Sequence, residues 1–219
     1  MITSNKPDVG TVTREKLLDV AEEMFAKEGF DDVTLRALTT EAGVNIAAVN
    51  YHFRGKQGLI DAVVLRHIEP INKQRRLNLE KLKETEGALT VSQILNALFA
   101  PFVEHVMRSD RCCLLLMKFM ARICDAHNPR IPTTALTEMK SLLSDYVTAL
   151  TTCLPHTPEA DVWKRVHFTY GVFVTTMMHN EMLTEMAGDR VGTLDVKELL
   201  DEIVEFCAAG FTALDSSKA

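Results

Sequence analysis

The chain has 219 residues, 47% of them hydrophobic and 25% charged, with a net charge of −6. That balance belongs to a folded globular protein with room for a small module and a larger second domain, and it excludes a disordered or fibrous chain. No apolar run reaches the ~18 residues that cross a bilayer and no signal-peptide pattern opens the chain, so a cytoplasmic protein without a membrane partner is expected.

In chain order, residues 13–28 predict a helix with Leu17, Ala21 and Phe25 on one stripe, stopped by Gly29. Thr34 then caps a short second helix carrying Leu35 and Leu38. Gly43 gives the backbone freedom of a tight turn, and Asn45 caps a third helix in which Val49 and Phe53 face inward. A helix–turn–helix cannot bury its own apolar stripe, so the first helix is needed to complete a three-helix core. Small and amide side chains on the free face of the third helix suit entry into a major groove. Residues 34–76 hold 7 basic and 3 acidic side chains, so the acidity lies away from this face.

Thr34-Leu35 through Ala42-Gly43-Val44-Asn45, followed by Tyr51-His52-Phe53 and Lys56 with Leu59, resembles the DNA-binding domain of the Tet repressor family. The chain departs from the usual pattern at Asn50, where an aromatic is common, and at Asn45, where Ser or Thr is frequent. Around Asn45 to Phe53 it is most similar to members that respond to fatty acids or acyl-coenzyme A. The resemblance implies a homodimeric transcriptional regulator, mostly repressors, released from a palindromic operator by a small molecule. Thr34, Tyr51, His52 and Lys56 are candidates for phosphate contacts, and Ala47, Ala48 and Asn50 for base edges. Asn45 serves first as a cap.

The remainder predicts helix after helix: Lys56 to about Leu82 with Pro70 inside, Thr90 to Arg108 with Pro101 inside, and a very apolar one from Arg111 to Cys124. A loop at 128–132 leads to a helix from Thr134 to Cys153. The next runs from Pro158 to about Met186, and Asp195 caps a last one to about Leu214. The fold class is all-α. It divides into a helix-turn-helix domain at 1–56 and a helical ligand-binding and dimerisation domain at 57–219, with the long helix from Lys56 joining them.

Phe99, Phe102, Met117, Met120, Tyr170 and Met177 are adaptable apolar residues that suit a mainly apolar effector, with Arg122 or His167 for a polar head. The same residues serve equally as ordinary core. The last two long helices carry Val166, Val174, Ile203, Cys207 and Phe211, which predict either a four-helix dimer interface or one-sided packing within the monomer. Reading a palindrome with one helix per subunit favours the dimer.

No cofactor is expected and no enzyme constellation is present: neither a phosphate-cradling loop, nor a zincin His pair, nor a nucleophile context. Five cysteines cannot all pair, and the adjacent Cys112 and Cys113 in an apolar stretch suit reduced thiols. Cys124 with His127 and Cys153 with His156 are the alternative, a metal- or thiol-responsive regulator with two Cys-x-x-His pairs.

Overall fold

A computed structural model of the chain describes residues 9–124, 133–178, 180–192 and 195–213. Every regular element among them is helical. In order they are α1 (Val9–Glu28), α2 (Leu35–Ala42), α3 (Ile46–Phe53), α4 (Lys56–Glu84), α5 (Val91–Val106), α6 (Asp110–Cys124), α7 (Thr133–Cys153), α8 (Glu159–Met178), α9 (Asn180–Ala187) and α10 (Val196–Thr212). A short 3-10 turn, Gly188–Arg190, follows α9. Pro70 does not interrupt α4, nor Pro101 α5. The stretch expected as one helix from Pro158 to Met186 is helical at Glu159–Met178 and Asn180–Ala187, and residue 179 between them lies outside the described residues. The loop expected at 128–132 lies outside the described residues.

The chain forms two compact units. The first holds residues up to Glu69 together with Val106–Pro132, the second Pro70–His105 together with the rest. In the first, α1 packs against α2, α3 and α6. The expected stripe forms its centre, since Leu17, Ala21, Phe25, Leu38 and Val49 are all fully buried. From α6, Leu115, Leu116 and Phe119 are buried as well. The Lys118 ammonium donates to Ala26 O at 2.6 Å and Lys27 O at 2.8 Å, where the last turn of α1 leaves carbonyls without helical partners.

In the second unit α8 packs against both α7 and α10. Arg165, buried on α8, donates to Phe211 O at 2.6 Å and so meets the negative end of α10. Asp195 caps the other end of α10, its Oδ1 accepting from Lys197 N–H at 2.8 Å and Glu198 N–H at 3.1 Å.

Candidate nucleic-acid interface

The geometry of α2, the turn and α3 follows from local side-chain chemistry. Thr34 Oγ1 accepts the Ala37 N–H at 3.2 Å, which starts α2. Gly43 ends it at φ 62°, in the left-handed region that favours glycine, with its N–H bonded to Thr40 O and that of Val44 to Thr39 O. Asn45 Oδ1 then accepts the Ala47 N–H at 2.9 Å and starts α3. Val49 and Phe53 are buried, while Asn45, Ile46, Ala47, Asn50 and Tyr51 are exposed. Tyr51 stands 83% exposed, which no core-packing role accounts for. Ala48 and His52 are half-buried at the edge of this strip, and Thr34 is exposed. Ile46, 48% exposed on the same strip, was missed by sequence reasoning; its signal was an apolar residue one place after the cap.

After α3 the chain turns sharply, with Arg54 at φ 59° and Gly55 at φ 113°. Lys56 Nζ donates to Asp31 O at 2.9 Å, so this ammonium anchors the start of α4 to the loop before α2. Gly58 is a second residue that sequence reasoning missed. A Cβ there would stand 1.8 Å from Phe53 O, so only glycine lets α4 approach the end of α3 this closely.

The local positive balance is smaller than the count suggested. Arg66 is bonded to Asp19 at 2.6 Å and lies 3.4 Å from Glu22, Arg75 is buried, and Arg76 lies 3.3 Å from Asp145. Arg36 and Arg54 remain exposed beside the helix–turn–helix. Glu22 is held below the usual carboxylate range chiefly by its hydrogen bond with His67. Burial opposes this, and the charges of His67, Arg66 and Arg111 add to it.

The residues expected to bind an effector separate into two groups. Phe99 and Phe102 are buried in the second unit around Phe173, at ring distances of 4.5 and 5.6 Å, and Tyr170 lies 5.2 Å from Phe99. Met177 is half-buried. Met117 and Met120 are half-buried on α6, which belongs to the first unit. His167 is exposed and so does not line an interior site, and the Arg122 side chain lies outside the described residues. An open recess of about 360 Å³ in the second unit is lined by Asn78, Lys81, Leu82, Thr85, Gln93, Asn96 and Ala97, none of them among the expected residues.

Of the residues expected at a dimer interface, Val166, Ile203, Cys207 and Phe211 are buried within the chain itself and Val174 is half-buried. A side chain already shielded by its own subunit has little area left for a second. The large apolar side chains that α8 and α10 expose among the described residues are Trp163 at 37%, Phe168 at 63% and Phe206 at 71%.

The Cys153 and His156 pair of the metal or thiol alternative gains nothing from the geometry. Cys153 donates to Leu89 O at 3.1 Å, burial raises its thiol above the ordinary range, and His156 is exposed. The Cys124 side chain and His127 lie outside the described residues. Cys112, Cys113, Cys153 and Cys207 are free thiols.

Residues 17–63 match the family model described as bacterial regulatory proteins, tetR family. Residues 96–210, more than half of the chain, match that of the tetracyclin repressor-like C-terminal domain. The chain belongs to the TetR family. Its members are transcriptional regulators that bind DNA, not enzymes. Among its relatives, the HTH-type transcriptional regulator SrpR of Pseudomonas putida is 37% identical over 59 residues, which is 27% of this chain and 28% of that protein. The HTH-type transcriptional repressor KstR2 of Rhodococcus jostii is 27% identical over 109 residues, 45% of this chain and 53% of that protein. The chain thus matches about half or less of the length of these curated relatives. The SmeT–triclosan complex shares the fold with a TM-score of 0.55 at 22% identity, covering 93% of this chain and 91% of that one. No described helix is long and apolar enough to cross a membrane.

Proposed function

We propose that this TetR-family chain is a cytoplasmic homodimeric repressor that binds a palindromic operator and is released by a small, mainly apolar effector. The observation that carries the DNA half is the exposed strip of α3, with Ala47, Asn50 and Tyr51 exposed, α2 started by the Thr34 cap and α3 by the Asn45 cap. Asn50 reads adenine and Ala47 or Ala48 meets a thymine methyl, while Tyr51, His52 and Thr34 position phosphates. Lys56 adds positive charge beside the N-terminus of α4 while anchored to Asp31 O.

The boundary after residue 56 separates the DNA-reading part from the part that dimerises and binds the effector. The exposed Phe168 and Phe206 support α8 and α10 as the dimer face, with the buried Val166, Ile203, Cys207 and Phe211 and the half-buried Val174 supporting that face from within. The aromatic group of Phe99, Phe102 and Tyr170, with Met177 beside it, supports an apolar effector, acyl compounds included. That SmeT forms a complex with triclosan is in keeping with this. α4 contributes to both units and is the proposed path of the signal.

Selection of bound sequences from random DNA tests the reading and should return a two-fold symmetric site. Asn50→Ala should relax preference at one position per half-site and weaken binding by about 1–3 kcal/mol. Recovery of no symmetric sequence, or a uniform loss across all sequences for Asn50→Ala, contradicts the assignment.

A further inference from the structure

The second unit buries a cation that no acidic side chain among the described residues balances. Arg75, on α4, is 3% exposed. Its Nε–H donates to Leu98 O at 2.7 Å and an Nη1–H to Asn72 Oδ1 at 3.1 Å. Among the described residues no carboxylate pairs with it, and these two bonds use two of the five N–H groups of a guanidinium. Asn72 is equally buried, and its Nδ2 has no hydrogen-bond partner. Arg165, also buried, differs in kind, because it faces the C-terminal carbonyls of α10 and therefore a negative helix end. Arg75 faces Leu98, in the middle of α5.

Part of this arrangement serves the fold. Pro101 has no N–H, so Ala97 O lacks its helical donor, and Tyr146, fully buried, supplies one from its hydroxyl at 2.9 Å. The same hydroxyl lies 2.8 Å from Arg75 O, so its single proton is shared between two carbonyls. Every remaining demand is for an acceptor. A buried guanidinium and a buried amide NH₂ both seek one, and burial of a charge without a counter-charge is costly. Leu98 and Phe99, beside the guanidinium's acceptor, are fully buried, and Phe99 opens the aromatic group with Phe173 and Tyr170.

We infer that Arg75 and Asn72 form the anchor for the head of a monocarboxylate whose apolar body lies against the Phe99 aromatic group. This rests on the effector-released reading above and names the chemical class of the effector. One carboxylate balances one guanidinium and matches its planar fork. A phosphate dianion would carry a second, unbalanced charge into apolar surroundings. Because Leu98 and Phe99 have no solvent exposure, an occupant must open their packing to reach Arg75. Binding is thereby coupled to a change in shape, which a release signal requires.

The test is calorimetric titration of the full-length protein with straight-chain carboxylates from butanoate to tetradecanoate and with alcohols of equal length. At least one carboxylate should bind ten-fold or more tightly than its alcohol. Arg75→Gln should remove that preference while leaving alcohol binding unchanged. Asn72→Asp supplies the counter-charge covalently, so it should raise the melting temperature of the free protein and abolish carboxylate binding. It also stands in for Arg75→Gln should that variant fail to fold. Equal binding of acids and alcohols, no binding by any acid, or a carboxylate preference that survives in both variants overturns the inference. The wider reading is judged separately, by operator binding and by release with the alcohols.

Discussion

At Gly58 two physical effects oppose each other, and the structure decides which wins. Gly58→Ala inside an exposed helix ordinarily stabilises by up to about 1 kcal/mol, because alanine has less backbone freedom to lose. Here the added Cβ would lie 1.8 Å from Phe53 O and 2.9 Å from Phe53 C. To reach the 3.4 Å of ordinary contact, α4 must retreat from α3 by about 1.6 Å. The neighbour is backbone and cannot rotate away. The turn between the helices has little slack either, with Arg54 and Gly55 both at positive φ. Overpacking of this kind costs about 1–3 kcal/mol, and a clash this deep against backbone belongs at the top of that range, so after the propensity gain the net loss is about 2 kcal/mol. For a unit of this size that is roughly 8–16 °C in melting temperature. Thermal unfolding followed by circular dichroism measures it, and operator affinity should fall in parallel because α3 is displaced. A Gly58→Ala protein that melts at or above the wild-type temperature refutes the reasoning, since helix propensity would then have prevailed.

A charge at Phe206 and one at Ile203 should act differently. Phe206→Glu should yield folded monomers in sedimentation, whereas Ile203→Glu should unfold the second unit, because a 5% exposed position gives the carboxylate no water and no partner. Folded monomers from Ile203→Glu would reverse the assignment of faces. The depressed Glu22 carboxyl contributes stability that is fully present above its unfolded value, near 4.5, and is lost as the pH falls through its folded value. Glu22→Gln should therefore flatten the acid limb of the melting-temperature curve below about pH 4.5, and an unaltered limb would remove Glu22 from the account.

Thr34, Gly43 and Asn45 made the helix–turn–helix legible because each acts on backbone groups within a few residues of itself. Gly58 was not legible, since its reason for being glycine is a carbonyl on another helix. Arg75 and Asn72 left a signal that went unused. On α4 they occupy the same three-and-four spacing as Ile68, Ile71 and Leu79, all buried, so two polar residues interrupt an apolar stripe. The two sides of α10 were not separable in the sequence for a related reason. Leu199, Leu200, Ile203, Val204, Cys207 and Phe211 form one inward stripe on α10, and Phe206 falls off it. Apolar composition alone does not tell the side of a helix that packs within the chain from the side that does not. Met117 and Met120 were grouped with Phe99 by composition alone, which carries no information about which unit α6 joins.

The placement of α6 gives the final prediction. Sequence continuity suggests that the DNA-reading part ends soon after α3, yet α6 belongs to the same compact unit as α1. It buries Leu115, Leu116 and Phe119, and its Lys118 holds the carbonyls of Ala26 and Lys27. A fragment ending at Glu84 keeps α1 to α4 but loses that cover, so the apolar side of α1 is left in water and the last turn of α1 loses its cation. Four helices around so small a core have little stability in reserve, since the entropy of ordering nearly cancels the burial they achieve. The fragment should therefore show helix by circular dichroism without a cooperative melt, and bind DNA weakly at all sequences. In the intact chain, Lys118→Met should lower the melting temperature while keeping cooperativity, because the methylene packing survives and only the bonds to α1 are lost. A fragment that melts cooperatively near the temperature of the whole protein would show that α6 is dispensable to the DNA-reading helices.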